Sequence, residues 1–145
     1  MSLELRGFTP ADYDAAFALW AETEEIVLRD VDARTPVLQY LTRNPGLSVV
    51  ALDGGSVVGA VLCGTDGRRG YLHHLAVARS HRRRGIGRAL AQRCLVALSE
   101  RGIDKCHLMV LPTNTAARAF WHRLGWQERP DVVLMSHVQT DRDTA

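Results

Sequence analysis

The run Arg82-Arg83-Arg84-Gly85-Ile86-Gly87-Arg88 lies between an apolar strand-like stretch, Leu72 to Val77, and a helical stretch that runs on from Ala89. A loop that enters a helix through two glycines leaves several backbone N–H groups without intrahelical partners, and the helix dipole adds partial positive charge at the same end. Such an entrance suits an anion, and a pyrophosphate above all. The chain must therefore fold with a strand, a glycine loop and a helix in immediate succession.

The 145 residues fall within the usual size of one domain. One domain is expected over residues 1–138, with 139–145 as a frayed polar tail. A hydrophobic share of 46% and a charged share of 23% are ordinary globular values. The formal charge of +2 implies neither nucleic acid nor a membrane surface as partner. The N-terminus lacks the apolar core of a signal peptide, and no stretch approaches the ~18 uninterrupted apolar residues of a membrane span. A soluble, cytoplasmic protein is the expectation. Cys63, Cys94 and Cys106 are odd in number, widely spaced and set in apolar patterns, which reads as buried reduced thiols rather than disulfides or metal ligands. No metal is expected.

Leu3 and Leu5 alternate with polar neighbours in a first strand, and Thr9-Pro10-Ala11-Asp12 then supplies a cap, a proline and an acid for a helix at about Pro10 to Glu24. Tyr13, Ala16, Phe17 and Trp20 recur at helical spacing and give it one aromatic inward face. Thr35-Pro36 repeats the start signal for a second helix, which Asn44-Pro45-Gly46 stops. Leu47 to Leu52, a turn at Asp53-Gly54-Gly55 and Val57 to Cys63 read as a hairpin. A further turn at Asp66 to Gly70 leads into the strand Tyr71 to Val77. Beyond the glycine loop, Ile86, Leu90, Cys94, Leu95 and Leu98 mark an amphipathic helix ended by Gly102. A strand at about Lys105 to Leu111, a helix at about Asn114 to Leu124 and a last strand at Val132 to His137 complete the series. The order β-α-α-β-β-β-α-β-α-β is that of a mixed α/β, or α+β, domain without internal repeats.

The glycine loop lacks the Gly-Lys-Ser/Thr of a nucleoside triphosphate loop and the Gly-x-Gly-x-x-Gly of a dinucleotide fold. His81 to Arg84 has no aromatic interleaving or broad basic field around it to suit nucleic acid. The stretch from Leu75 through Arg82, Gly85 and Gly87 to Leu90, with its Arg-x-x-Gly-x-Gly, instead resembles the strand, loop and helix of the GNAT superfamily of acetyl-CoA-dependent N-acetyltransferases. Asn114 to Trp126, an Asn-led helix ending in Leu124-Gly125-Trp126, is similar to that family's second signature.

The resemblance implies a mostly antiparallel twisted sheet flanked by about four helices and splayed between the strands holding Leu75 and Leu108, with coenzyme A in the opening. The pantetheine arm would pair with backbone groups of Leu75, Ala76 and Val77 as an added strand does. The pyrophosphate would take N–H groups of Arg83, Arg84, Gly85, Ile86, Gly87 and Arg88, with arginine side chains, Arg82 among them, adding charge. Asn114 would reach the pantetheine or the thioester end.

Amide formation from a thioester requires a neutral amine, so a base must take a proton and a donor must meet the developing oxyanion. A backbone N–H near Ala76 or Val77 can serve as that donor. Where many members carry a carboxylate this chain has Met109, which cannot act as a base. Tyr71 to Val77 resembles the corresponding strand of serotonin N-acetyltransferases, and that likeness points to His73 as the base. Strand alternation puts Tyr71 and His73 on one face and His74 on the other, unless a bulge intervenes. His73 and His74 also suit plain hydrogen bonding within the sheet. Trp121 stands where the family usually has a tyrosine that protonates the leaving thiolate, and an indole N–H donates a hydrogen bond but not its proton. Glu22, Glu24 and Glu25 read as solvated, with a place along the cleft as the alternative. The expected function is acetyl transfer from acetyl-CoA to a primary amine, by direct attack in a ternary complex. A non-catalytic acyl-CoA-binding module on the same scaffold is the alternative. A small-molecule amine is favoured as acceptor over a protein N-terminus, and edge strands make a homodimer a further expectation.

Overall fold

Gly54 and Gly55 both adopt positive φ, +59° and +88°, which is what a two-residue hairpin turn requires. They join β2 (Val49–Asp53) to β3 (Ser56–Thr65), and the pairing runs antiparallel from Asp53 opposite Ser56 to Val49 opposite Val61. The structure is a computed structural model that describes residues 2–139, so the expected frayed tail from Thr140 lies outside the described residues. β1 (Leu3–Gly7) pairs antiparallel with β2 on its free edge. Asp66 accepts hydrogen bonds from the backbone N–H groups of Arg68 and Arg69 at 2.8 and 2.9 Å. That turn delivers β4 (Gly70–Val77) antiparallel to β3. β5 (Cys106–His107) lies parallel to β4, completing a sheet in the order β1-β2-β3-β4-β5.

Alternation splits the strand residues between two layers. Val50, Leu52, Ala60, Leu62 and Ala76 face a core built with Tyr13, Ala16, Leu19 and Trp20 of α1 (Tyr13–Glu22) and Val37 of α2 (Arg34–Arg43). On the opposite face, Gly59 lets Leu90 and Ile86 of α3 (Ile86–Glu100) come so close that an added Cβ would stand 3.1 to 3.3 Å from them. Trp20 is fully buried, and its truncation to alanine would cost about 4 kcal/mol.

Several boundaries differ from the sequence reading. Pro10–Asp12 is a separate 3₁₀ turn, so α1 begins at Tyr13; the Asp12 carboxylate reaches back to the Thr9 N–H at 2.8 Å and binds Arg6 at 2.7 and 3.0 Å. α2 starts at Arg34 rather than after Thr35, which is tolerable because a proline in the first turn gives up an N–H that has no intrahelical partner there. The strand expected at Lys105 to Leu111 shrinks to two residues, because its pairing with β4 stops at Tyr71 opposite His107.

The chain forms two compact units, one up to Met109 and one from Val110. The second contains α4 (Thr115–Arg123), ended by Gly125 at φ +93°. The strand expected at Val132 to His137 does not form. Leu134 and Met135 are 74% and 88% exposed, and a β-branched, apolar run becomes a strand only where another strand pairs with it. Among the described residues no helix is long and apolar enough to cross a membrane.

Candidate functional site

Arg83 and Gly85 both take positive φ, +64° and +80°. Left-handed residues in a turn are the kind of backbone that can gather successive N–H groups into an anion-binding concavity. Gly85 is the N-cap of α3, so the capping position itself carries no side chain, and the first turn holds no acid. Such an entrance is chemically suited to an anion. Gly87 differs from Gly85: it lies in the first turn of α3, buried, and is not left-handed. Its backbone conformation therefore does not itself require glycine.

Arg82 is less free than expected. Its Nε donates to the Val77 carbonyl at 3.0 Å, and its guanidinium meets the Glu24 carboxylate at 3.0 and 3.3 Å. Arg79 binds the same carboxylate at 2.7 Å. Hydrogen bonds from Arg82 and Arg79 hold Glu24 at a pKa of about 2. Glu24 is therefore a solvent-facing clasp between the end of α1 and the glycine loop, more than the solvated acid read from sequence. The Val77 carbonyl, expected to face a pantetheine arm, accepts from Arg82 in this state.

β4 departs from regular alternation where the sequence allowed for it. Its register against β3 shifts between Ala60 and Leu62, and His74 has φ +55°. The bulge turns two consecutive residues to one face. The His73 ring lies 6.1 Å from Tyr40 of α2, and the His74 ring lies 5.3 Å from Trp20 of α1. On the β5 side, β4 pairs only at Gly70 and Tyr71, so the strands part before Leu75, Ala76 and Val77, as the resemblance implies.

His74 Nε2 donates to Asp32 Oδ1 at 2.8 Å, and Asp32 is only 5% exposed. Asp32 sits at the end of a 3₁₀ turn, Asp30–Asp32. Its other oxygen accepts the Arg29 N–H at 2.9 Å, and its carbonyl accepts the Tyr13 hydroxyl at 2.7 Å. Burial pushes its pKa up, but the His74 bond and the Arg29 amide outweigh that and leave it lowered. Burial, with the neighbouring His74 adding to it, lowers the pKa of His73. Asp32 had no signal in the sequence: it falls in an irregular linker, 42 residues from the histidine it binds.

In the second unit, Asn114 caps α4, its Oδ1 accepting the Ala117 N–H at 3.1 Å. Trp121 is buried edge-on between Phe120 and Trp126, ring centroids 4.9 and 5.0 Å away. Cys63, Cys94 and Cys106 are free thiols. Among the described residues no group of His, Cys, Asp and Glu is arranged to hold a metal ion.

Comparison with known proteins gives a consistent result. The model of the acetyltransferase (GNAT) family matches residues 13–126. The chain is 33% identical over 141 residues to an acetyltransferase of Pectobacterium atrosepticum, covering 97% of this chain and 99% of that one. It is 30% identical over 142 residues to an acetyltransferase of Yersinia enterocolitica, with the same coverage. Among solved structures, an acetyltransferase of Streptococcus agalactiae superposes with a TM-score of 0.76 at 16% identity, over 99% of this chain and 95% of that one. An N-acetyltransferase of Thermoplasma acidophilum in complex with coenzyme A superposes with a TM-score of 0.75 at 17% identity, over 86% and 89%.

Proposed function

Because this chain belongs to the acetyltransferase (GNAT) family, we propose that it transfers an acetyl group from acetyl-CoA to a primary amine by direct attack. The observation that carries this reading is the left-handed pair Arg83 and Gly85 at the glycine-led entrance of α3. Amides of Arg83 to Arg88 would hold the pyrophosphate, and Arg82 would add its charge on leaving Glu24. Backbone groups of Leu75 and Ala76, which have no β5 partner, would align the pantetheine, and the Val77 carbonyl would join them once Arg82 has left it. Acetyl-CoA when bound supplies the activated acyl carbon.

The remaining chemistry falls to the chain's own residues. His73 would take the proton from the ammonium, since its lowered pKa keeps the ring neutral and basic at neutral pH. An amide near Ala76 or Val77 would meet the oxyanion. From the resemblance, Asn114 would reach toward the pantetheine and Trp121 would donate a hydrogen bond to the thiolate. A thiolate needs no strong acid to leave, because a thiol pKa of ~8.5 makes it a tolerable leaving group. Asp32 fastens the α1–α2 linker onto β4. A linker tied down beside the histidines favours a small amine over an extended peptide. The test is calorimetric titration with acetyl-CoA followed by thiol release over a panel of amines. Turnover supports the enzyme reading; tight binding without turnover leaves an acyl-CoA-binding module, and no binding defeats both.

A further inference from the structure

Two imidazoles side by side on β4 have opposite surroundings. The His73 ring is half-buried, with the Tyr40 ring 6.1 Å away as its aromatic neighbour and no carboxylate bonded to it among the described residues. A proton received there gains little compensation. The His74 ring has a carboxylate on Nε2 at 2.8 Å and the Trp20 ring at 5.3 Å. The carboxylate would be the counter-charge of a protonated ring. The carboxylate also fixes the tautomer: with Nε2–H committed to Asp32, the neutral ring presents Nδ1 as acceptor. Nδ1 has no protein partner among the described residues and is not among the buried unsatisfied atoms.

We infer that Asp32 and His74 form a carboxylate–imidazole pair that carries away the proton His73 takes from the acceptor amine, with Asp32 as its positioning residue. This rests on the acetyl-transfer reading above. The ammonium N–H bond breaks as His73 accepts the proton. The proton then passes through solvent, which reaches both half-buried rings, to His74 Nδ1. The pair goes from charge −1 to 0, and His73 returns to the neutral form. After the amide leaves, His74 loses the proton to bulk water. The remaining ionisable groups around the pair are Tyr40 on α2 and Tyr13 on α1. Tyr40 is held neutral by burial, and the Tyr13 hydroxyl is committed to the Asp32 carbonyl. Arg34 lies over the far ring of Tyr13, at 5.6 Å.

The experiment compares pH profiles of kcat/KM for the unaltered chain, Asp32→Asn, His74→Gln and the double variant. Asparagine can still accept from Arg29, so it removes the charge while keeping the turn. Each single change is expected to lower kcat by about tenfold or more, with KM for acetyl-CoA unchanged. The acid limb of Asp32→Asn should move to lower pH, and the double variant should be no slower than the slower single. Additive losses, or an unshifted profile in Asp32→Asn, would overturn the relay. If Asp32→Asn fails to fold, nitrogen NMR of the unaltered chain decides: the neutral His74 ring should carry its proton on Nε2, and a proton on Nδ1 overturns the pairing. An unaltered chain that turns over no amine defeats the acetyl-transfer reading itself, and the relay with it.

Discussion

Gly85 carries the sharpest single-residue prediction. Its φ of +80° is one that a β-branched residue adopts only with strain, and an added Cβ would meet nothing within 4 Å. The cost of Gly85→Val to the fold is then conformational alone, about 1–2 kcal/mol. Its cost to the ligand site is larger, because the new side chain crowds the amides that face the anion. Calorimetry should show acetyl-CoA binding lost while the circular dichroism spectrum stays native; unchanged affinity would refute the assignment. His73 gives a second test through stability. Its pKa lies below the unfolded value of 6.5, so the unfolded chain binds more protons as pH falls through that value. Stability therefore declines from about pH 6.5 downward, until the folded state protonates too. Replacement by glutamine removes this slope, and urea midpoints measured across the range should flatten by that contribution.

The clasp between α1 and the glycine loop belongs to two elements together. Glu24 places a negative charge on Arg82, which the proposal assigns to a diphosphate, and on Arg79 beside it. Glu24→Gln should strengthen coenzyme A binding about two- to fivefold, as befits an exposed pair screened by solvent, and the gain should shrink in high salt. Equal or weaker binding by titration would mean that Arg82 never turns to the anion. These elements also show what a sequence reveals and what it hides. The loop, its helix and the Gly54-Gly55 hairpin were legible because their signals are local: positive φ, caps and apolar spacing over a few residues. The His74 bulge was legible only as an option, since its cause is the match between β3 and β4. Asp32 and the Glu24 clasp were hidden because ion pairs between distant segments leave no periodicity. The shortfall of β5 and of the strand expected at Val132 to His137 has the same root, for a strand exists only by virtue of its neighbour.

Across the molecule, protection should follow hydrogen bonding. The amides of β2, β3 and β4 lie in a ladder beside a buried core, whereas 132–138 has no helix or strand and is exposed. Hydrogen exchange should be slowest in the first group and fast in the second, and Leu134→Ser should change the unfolding free energy by less than about 0.5 kcal/mol. Slow exchange across 132–138 would show that the segment pairs in solution. The left-handed residue in β4 reaches furthest. It introduces a phase slip, so that odd-numbered side chains face α1 and α2 before it and even-numbered ones do so after it. Polar substitutions at Leu75 and Ala76 should thus exchange the outcomes that a regular pleat assigns to them, and a mutational scan of this strand will look inverted from position 74 onward.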